Sequence, residues 1–353
     1  DRADFLRNIS AAMAVATVIM AVIFILLVNR SVVKPINQLA AAASSFVDEK
    51  NAGEDRKSAI SQLNIHTGDE IEALCDAVKK MEIDIDNFIV HISKITAEKE
   101  RIGAELNVAT QIQADMLPRI FPAFPERKEF DIYATMNPAK EVGGDFYDFF
   151  LVDDDHLAVV IADVSGKGVP AALFMVIAKT LIKNHAQNKD TPGSVFTQTN
   201  AQLCEGNDAG LFVTAWMGVL EISTGSFIYV NAGHNPPLLK RAGGAYEWLK
   251  SRPGFVLAGM EGVRYRENSL QLEPGDCLYL YTDGVTEATS GAQELFGEER
   301  LQHTLNESKD LPVDQLLPKV KQAIDTFVGE AEQFDDITML GLEYREKGGG
   351  LNG

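Results

Sequence analysis

Three aspartate-centred turns stand far apart in the 353-residue chain, each beside an apolar run. They are Asp163-Val-Ser-Gly-Lys-Gly168, Thr282-Asp-Gly-Val-Thr-Glu287 and Phe334-Asp-Asp-Ile-Thr338. Leu157-Ala-Val-Val-Ile-Ala162 leads into the first, Cys277-Leu-Tyr-Leu-Tyr281 into the second, and Ile337-Thr-Met-Leu-Gly-Leu342 follows the third. Such short β-branched or aromatic runs bounded by glycine predict buried strands. Carboxylates held at the ends of core strands can converge, and they repel one another unless a cation lies between them. Hard oxygen donors of this kind suit Mg²⁺ or Mn²⁺. Asp-Gly is also a common turn dipeptide, so one such turn would mean little; three point to a metal site.

Composition narrows the rest. A net charge of −19 excludes the basic face that nucleic-acid binding demands. Cys75, Cys204 and Cys277 follow no ligand spacing, and the six histidines form no zinc pattern. They predict reduced thiols in a cytoplasmic compartment. Ile9 to Val28 is an uncharged, mostly apolar stretch long enough to cross a bilayer as a helix. Too long for the apolar region of a signal peptide, it is followed by Arg30 and Lys34 and not by a small-residue cleavage site. The positive-inside rule then puts all that follows in the cytoplasm, at a bacterial inner membrane. Because the chain opens at Asp1, a few residues before this stretch, it reads as a fragment lacking an extracytoplasmic part and a first membrane helix.

Beyond the membrane, Lys34-Pro35 starts an amphipathic stretch carrying Ile36, Leu39, Ala43 and Phe46. A polar connector, Asp48 to Thr67, leads to Gly68-Asp69-Glu70, where acids suit the first turn of a second helix. From there Ile71, Leu74, Val78, Met81, Ile85, Phe88, Ile92 and Ile95 alternate three and four residues apart, as a coiled-coil seam does. The arrangement over residues 31–92 resembles a HAMP domain, which implies a parallel homodimeric four-helix bundle. Lys99 weakens the seam before Ile102, Leu106 and Ala109 resume it, and Pro118, Pro122 and Pro125 end the helix. The expected organisation is a membrane helix with its flank (1–30), the HAMP domain (31–92) and a coiled linker or switch helix (93–121). A globular domain (122–345) and a flexible glycine-rich tail (346–353) follow.

In the globular domain, strands are expected at Phe130–Tyr133, Leu157–Ala162, Thr214–Ile222, Phe227–Asn231, Cys277–Tyr281 and Ile337–Tyr344. Helices are expected at Pro170–Gln187, Ser194–Cys204 and Val313–Val328. Neighbouring strands with segregated helices predict an α+β class. Five motifs occur in order: Glu141-Val-Gly-Gly-Asp-Phe-Tyr-Asp148, Asp163-Val-Ser-Gly-Lys-Gly168, Asn231-Ala-Gly-His-Asn-Pro-Pro237, Thr282-Asp-Gly-Val-Thr-Glu-Ala288 and Asp335-Asp-Ile-Thr338. With Gln111-Ile-Gln-Ala-Asp-Met-Leu-Pro118, they resemble the PPM (type 2C) metal-dependent serine/threonine phosphatases, in the SpoIIE-like subclass that controls sigma-factor partner switching. The resemblance spans Leu106 to Tyr344. It implies a two-sheet β-sandwich flanked by helices and a centre of two Mn²⁺ or Mg²⁺ ions.

Carried over by motif, the resemblance gives Asp163 as the bridging ligand, the Val164 carbonyl as a further oxygen, and Asp283 and Asp335 as single ligands. Asp336 is the alternative to Asp335, since adjacent strand side chains face opposite ways. Asp145 and Glu287 would act through bound water. Asp163, Asp283 and Asp335 would thus be the catalytic set, with metal-activated water attacking phosphorus in line. Ser165 stands where many relatives of the fold carry a histidine that serves as general acid, which leaves that role unassigned. Lys167, Ser165 and His234 are the candidate substrate-facing groups, His234 reading as structural before catalytic. The implied substrate is a phosphorylated STAS-type anti-sigma antagonist, hydrolysed under control of the stalk. Gly143-Gly-Asp-Phe146 also echoes the diguanylate cyclase signature, but the glutamate is missing and three aspartate turns would be left without work. A histidine kinase lacks its phosphoacceptor motif and ATP lid here. A non-catalytic pseudophosphatase that only binds a partner is the other alternative, against which all the expected ligands are present.

Overall fold

The structure is a computed structural model that describes residues 2–51 and 58–346. The tail Lys347–Gly353 and part of the polar connector lie outside the described residues. The chain divides into two compact units, Asp1–Ile102 and Gly103–Gly353.

In the first unit, helix α1 (Arg2–Val28) runs through a π-helical turn (Asn29–Val33) into α2 (Lys34–Asn51). Proline lacks the N–H and crowds the carbonyl four residues back; just before Pro35, the Lys34 N–H bonds to the Asn29 carbonyl, five residues back. Widening the turn in this way keeps the helix continuous. Among the described residues one helical run, Asp4–Asp48, is long and apolar enough to cross a membrane by length and composition. Helix α3 (Glu70–Met116) starts at a reciprocal cap. Asp69 Oδ1 accepts the Ile71 N–H, and Glu72 reaches back to the Gly68 N–H at 2.8 Å. The seam on α3 is split. Ile71, Val78 and Ile85 pack against Leu39, Ala42, Phe46 and Ile60 from α2 and its connector. Leu74, Met81, Phe88 and Ile95, seven residues apart, are exposed.

The second unit holds two five-stranded antiparallel sheets. One has the order β1 (Phe130–Asn137), β10 (Ile337–Tyr344), β9 (Cys277–Tyr281), β6 (Leu238–Lys240), β7 (Tyr246–Trp248). The other has the order β2 (Phe146–Asp153), β3 (His156–Val164), β4 (Val213–Glu221), β5 (Ser226–Ala232), β8 (Glu267–Gln271). Alternation explains how they stack. Leu278, Leu280, Leu340 and Leu342 join the core between the sheets. Cys277, Tyr279, Tyr281 and Met339, one residue out of phase, pack instead with α7 (Gly297–Glu307) and α8 (Val313–Val328). On the second sheet, β3 is buried on both faces, since α4 (Val169–Gln187) covers its outer side, while α5 (Pro192–Cys204) covers β4 and β5. Its unbroken Leu157–Ala162 run reflects this.

The α+β sandwich and the strands read from sequence are present, with β9, β10 and α8 at the expected bounds. Strands β2, β6, β7 and β8, the short helix α6 (Asp283–Thr286) and α7 were not anticipated. The last motif needs one correction. Asp335 and Asp336 precede β10 and do not belong to it, so strand alternation does not decide between them.

Phe146 is wholly buried at the start of β2, next to Asp145. Phe146→Ala should lower stability by about 3–5 kcal/mol in urea denaturation. A loss below about 1 kcal/mol would contradict this seating of β2.

Candidate metal centre

The two sheets bring their aspartates to one edge. Asp163 lies one residue before the end of β3, Asp283 opens α6 directly after β9, and Asp335 and Asp336 lead into β10. Asp145 immediately precedes β2. Close approach of these segments requires glycine at two points. A Cβ on Gly284 would lie 1.9 Å from the Asp336 carbonyl oxygen, and one on Gly144 would lie 2.8 Å from the Val164 carbonyl oxygen.

Each carboxylate has a distinct environment. Asp336 is buried and fully used by backbone: Oδ1 accepts Ala139 N–H at 2.8 Å, and Oδ2 accepts Gly144 N–H at 2.8 Å and Asp145 N–H at 3.3 Å. It anchors the loop that carries Asp145. Asp145 is buried too, and its Oδ2 accepts the Thr282 hydroxyl at 2.6 Å. Thr282 Oγ1 in turn accepts Thr338 N–H at 3.1 Å, tying β9 to β10 beneath the site. Asp335 is half-buried; its Oδ1 accepts Asp336 N–H, and its Oδ2 lies 2.9 Å from Lys167 Nζ.

Burial, with the charges of Asp163 and Asp336, holds the Asp145 carboxyl well above the ordinary range. Burial, then Asp283 and Asp335, push Asp163 up to about 7. Burial, then Glu287 and Asp335, raise Asp283 as well. Among the described residues no three of these side chains stand together at ligating separation. They share one strongly negative field, as repelling charges do. Hard oxygens from Asp163, Asp283, Asp335 and the Val164 carbonyl fit divalent Mn²⁺ or Mg²⁺, while no thiolate or imidazole enters the set to favour a softer metal.

The remaining candidates separate. Lys167 faces the cluster through Asp335. Ser165 is tied to Phe212 in both directions: its N–H donates to the Phe212 carbonyl, and its Oγ accepts the Phe212 N–H, both at 2.8 Å. His234 is buried, with Nδ1 2.9 Å from Thr214 Oγ1, and burial pushes its pKa down to about 4. Thr214 is the β4 partner of Asp163, so this imidazole is linked to the Asp163 position through Thr214. Sequence reading missed Thr282 as a support and the role of Gln113. Gln113 Nε2 donates to the Gly143 carbonyl at 2.6 Å, and its Oε1 accepts Gly143 N–H at 3.1 Å. The only sequence signal for it was its place in the Gln111–Pro118 motif.

The raised Asp163 pKa has a sign that can be tested. Between the usual 3.8 and about 7 the folded state binds more protons than the unfolded one, so this group's contribution makes stability fall as pH rises through that window. In chelator-treated protein the melting temperature should drop across that range, and Asp163→Asn should flatten the slope. An unchanged slope in the variant would remove Asp163 as its source.

Comparison with known proteins agrees with the fold. The family model described as stage II sporulation protein E (SpoIIE) matches residues 153–345, more than half of the chain. IcfG of Synechocystis sp. is 33% identical over 315 residues, covering 80% of this chain and 48% of that protein. The phosphoserine phosphatase RsbU of Bacillus subtilis is 30% identical over 190 residues, covering 54% of this chain and 55% of RsbU. The chain thus spans about half the length of the curated relatives it matches. The SiaA-PP2C domain of Pseudomonas aeruginosa superposes with a TM-score of 0.63 at 23% identity, covering 70% of this chain and 99% of that domain, which shows the fold. The chain belongs to the SpoIIE family, and its globular unit is a PP2C-type phosphatase domain.

Proposed function

We propose that the protein is a membrane-anchored, signal-gated phosphatase that hydrolyses phosphoserine or phosphothreonine on a regulatory protein of the STAS anti-sigma antagonist type. The observation that carries this reading is the convergence of Asp145, Asp163, Asp283, Asp335 and Asp336 from both sheets on one edge, where burial and neighbouring charge raise the pKa values of Asp145, Asp163 and Asp283. RsbU, the relative named as a phosphoserine phosphatase, supports the substrate class. In this reading Asp163, the Val164 carbonyl, Asp283 and Asp335 would hold two Mn²⁺ or Mg²⁺ ions, with Asp163 shared between them, and Asp145 and Glu287 would orient water. Ions held there would supply a nucleophilic water at neutral pH and offset charge on the phosphoryl group. Asp336 holds the loop, and the Thr282 hydroxyl fixes Asp145. Buried neutral His234 supports β4 and leaves the general acid to another group.

Gating has a physical route inside the globular unit. Gln113, on the last turns of α3, clamps Gly143, while Gly144 and Asp145 donate to Asp336. Movement of α3 would therefore be felt at the Asp145 loop. Upstream, the exposed heptad row Leu74, Met81, Phe88 and Ile95 supports a homodimer in which a second copy covers it. The apolar α1 supports membrane insertion, with the phosphatase domain in the cytoplasm.

The direct test is release of phosphate from a phosphorylated STAS partner with Mn²⁺ or Mg²⁺. Turnover should require the metal, and Asp163→Ala should reduce it by at least about 10³-fold with the fold intact. Binding of the partner without turnover under either metal would favour the pseudophosphatase. Gln113→Ala should weaken basal activity while preserving partner binding, and Phe88→Asp should dissociate the dimer in sedimentation. A variant that stays dimeric would overturn the seam assignment.

A further inference from the structure

Lys167 is held by more than a surface lysine needs. Its ammonium lies 2.9 Å from Asp335 Oδ2, donates to the Phe334 carbonyl at 2.6 Å, and stands 3.7 Å from the centroid of the Phe334 ring. Two oxygens and one aromatic face thus receive its three donors. The contact joins segments far apart in sequence, the β3–α4 turn and the approach to β10.

We propose that Lys167 is a tethered counter-cation, docked on Phe334, that competes with a divalent ion for Asp335 and so sets how loosely the centre holds that ion. The proposal rests on the metal reading of Asp335 given above. An ammonium and a divalent ion on the same carboxylate repel strongly at such short range, so one must give way. Lys167 can do so. Its side chain and that of Asp335 are each about one-third exposed, so water receives the ammonium at little cost. Gly166 and Gly168 flank it, both at positive φ (89° and 79°), and their missing side chains leave the turn free to let it swing. When Lys167 gives way, the ion gains Asp335 and the ammonium becomes free to face an incoming anion. Metal occupancy and lysine position would be two readings of one exchange.

The test is Mn²⁺ titration calorimetry on the full chain in nanodiscs, which needs no turnover. Lys167→Gln should tighten the weaker Mn²⁺ association by roughly fivefold, the factor expected from removing a partly exposed ion pair. Phe334→Leu keeps the charge but removes the platform, and should tighten it by a smaller factor. Asp335→Asn should weaken Mn²⁺ binding, and in the Asp335→Asn background Lys167→Gln should lose most of its effect. Unchanged or weaker Mn²⁺ binding in Lys167→Gln, with Asp335→Asn still weakening it, would overturn the competitor role and leave the metal reading standing. Tightening in Lys167→Gln with no change in Phe334→Leu would reduce the lysine to a distant charge and overturn the docked competitor. No effect of Asp335→Asn on Mn²⁺ would remove both.

Discussion

Mutual repulsion among carboxylates that the fold will not let separate is the constraint on which the rest of this structure depends. Asp163 is fixed by a strand buried on both faces, Asp283 by the α6 turn after β9, and Asp335 by the approach to β10. None can move away without disturbing a sheet. Asp145 and Asp163 respond with raised pKa values, chiefly through burial and then through neighbouring charge, from Asp163 and Asp336 on Asp145 and from Asp283 and Asp335 on Asp163. Such an arrangement stores an affinity for cations. Divalent ions answer it in the proposed function, and Lys167 answers part of it from within the chain.

The same constraint explains the supporting details. Asp336 adds its own charge to the cluster, but three backbone N–H groups hold its carboxylate and make it the anchor of the Asp145 loop. Glycine at 144 and 284 permits strand ends to approach at backbone contact distance. Gln113 then attaches that loop to the end of α3 through a reciprocal pair of hydrogen bonds. In the proposed gating, two seatings of α3 would be transmitted to Asp145 through the loop that Gln113 grips.

Much of this was legible in the chain. The Leu157–Ala162 and Cys277–Tyr281 runs identified their strands because burial on both faces leaves no polar positions, and the aspartates at their ends followed directly. Strands β6 and β7 have three residues each and owe their existence to pairing with neighbours, which no local pattern records. Strand β2 was hidden inside a motif read for its chemistry. Motif register favoured Asp335 over Asp336 as ligand, but the anchoring role of Asp336 was beyond sequence, because its donors lie nearly two hundred residues away. The Lys167–Asp335 pair was invisible for the same reason. A lysine between two glycines reads as solvated until the fold shows what it faces.

The central claim is that the aspartates on this edge hold divalent ions. Anomalous diffraction from crystals of the protein grown with Mn²⁺ tests it most directly. The account predicts two manganese peaks, one shared ligand at Asp163, and Asp283 and Asp335 each on one ion. Manganese absent from this edge, or bound without Asp163, would contradict it.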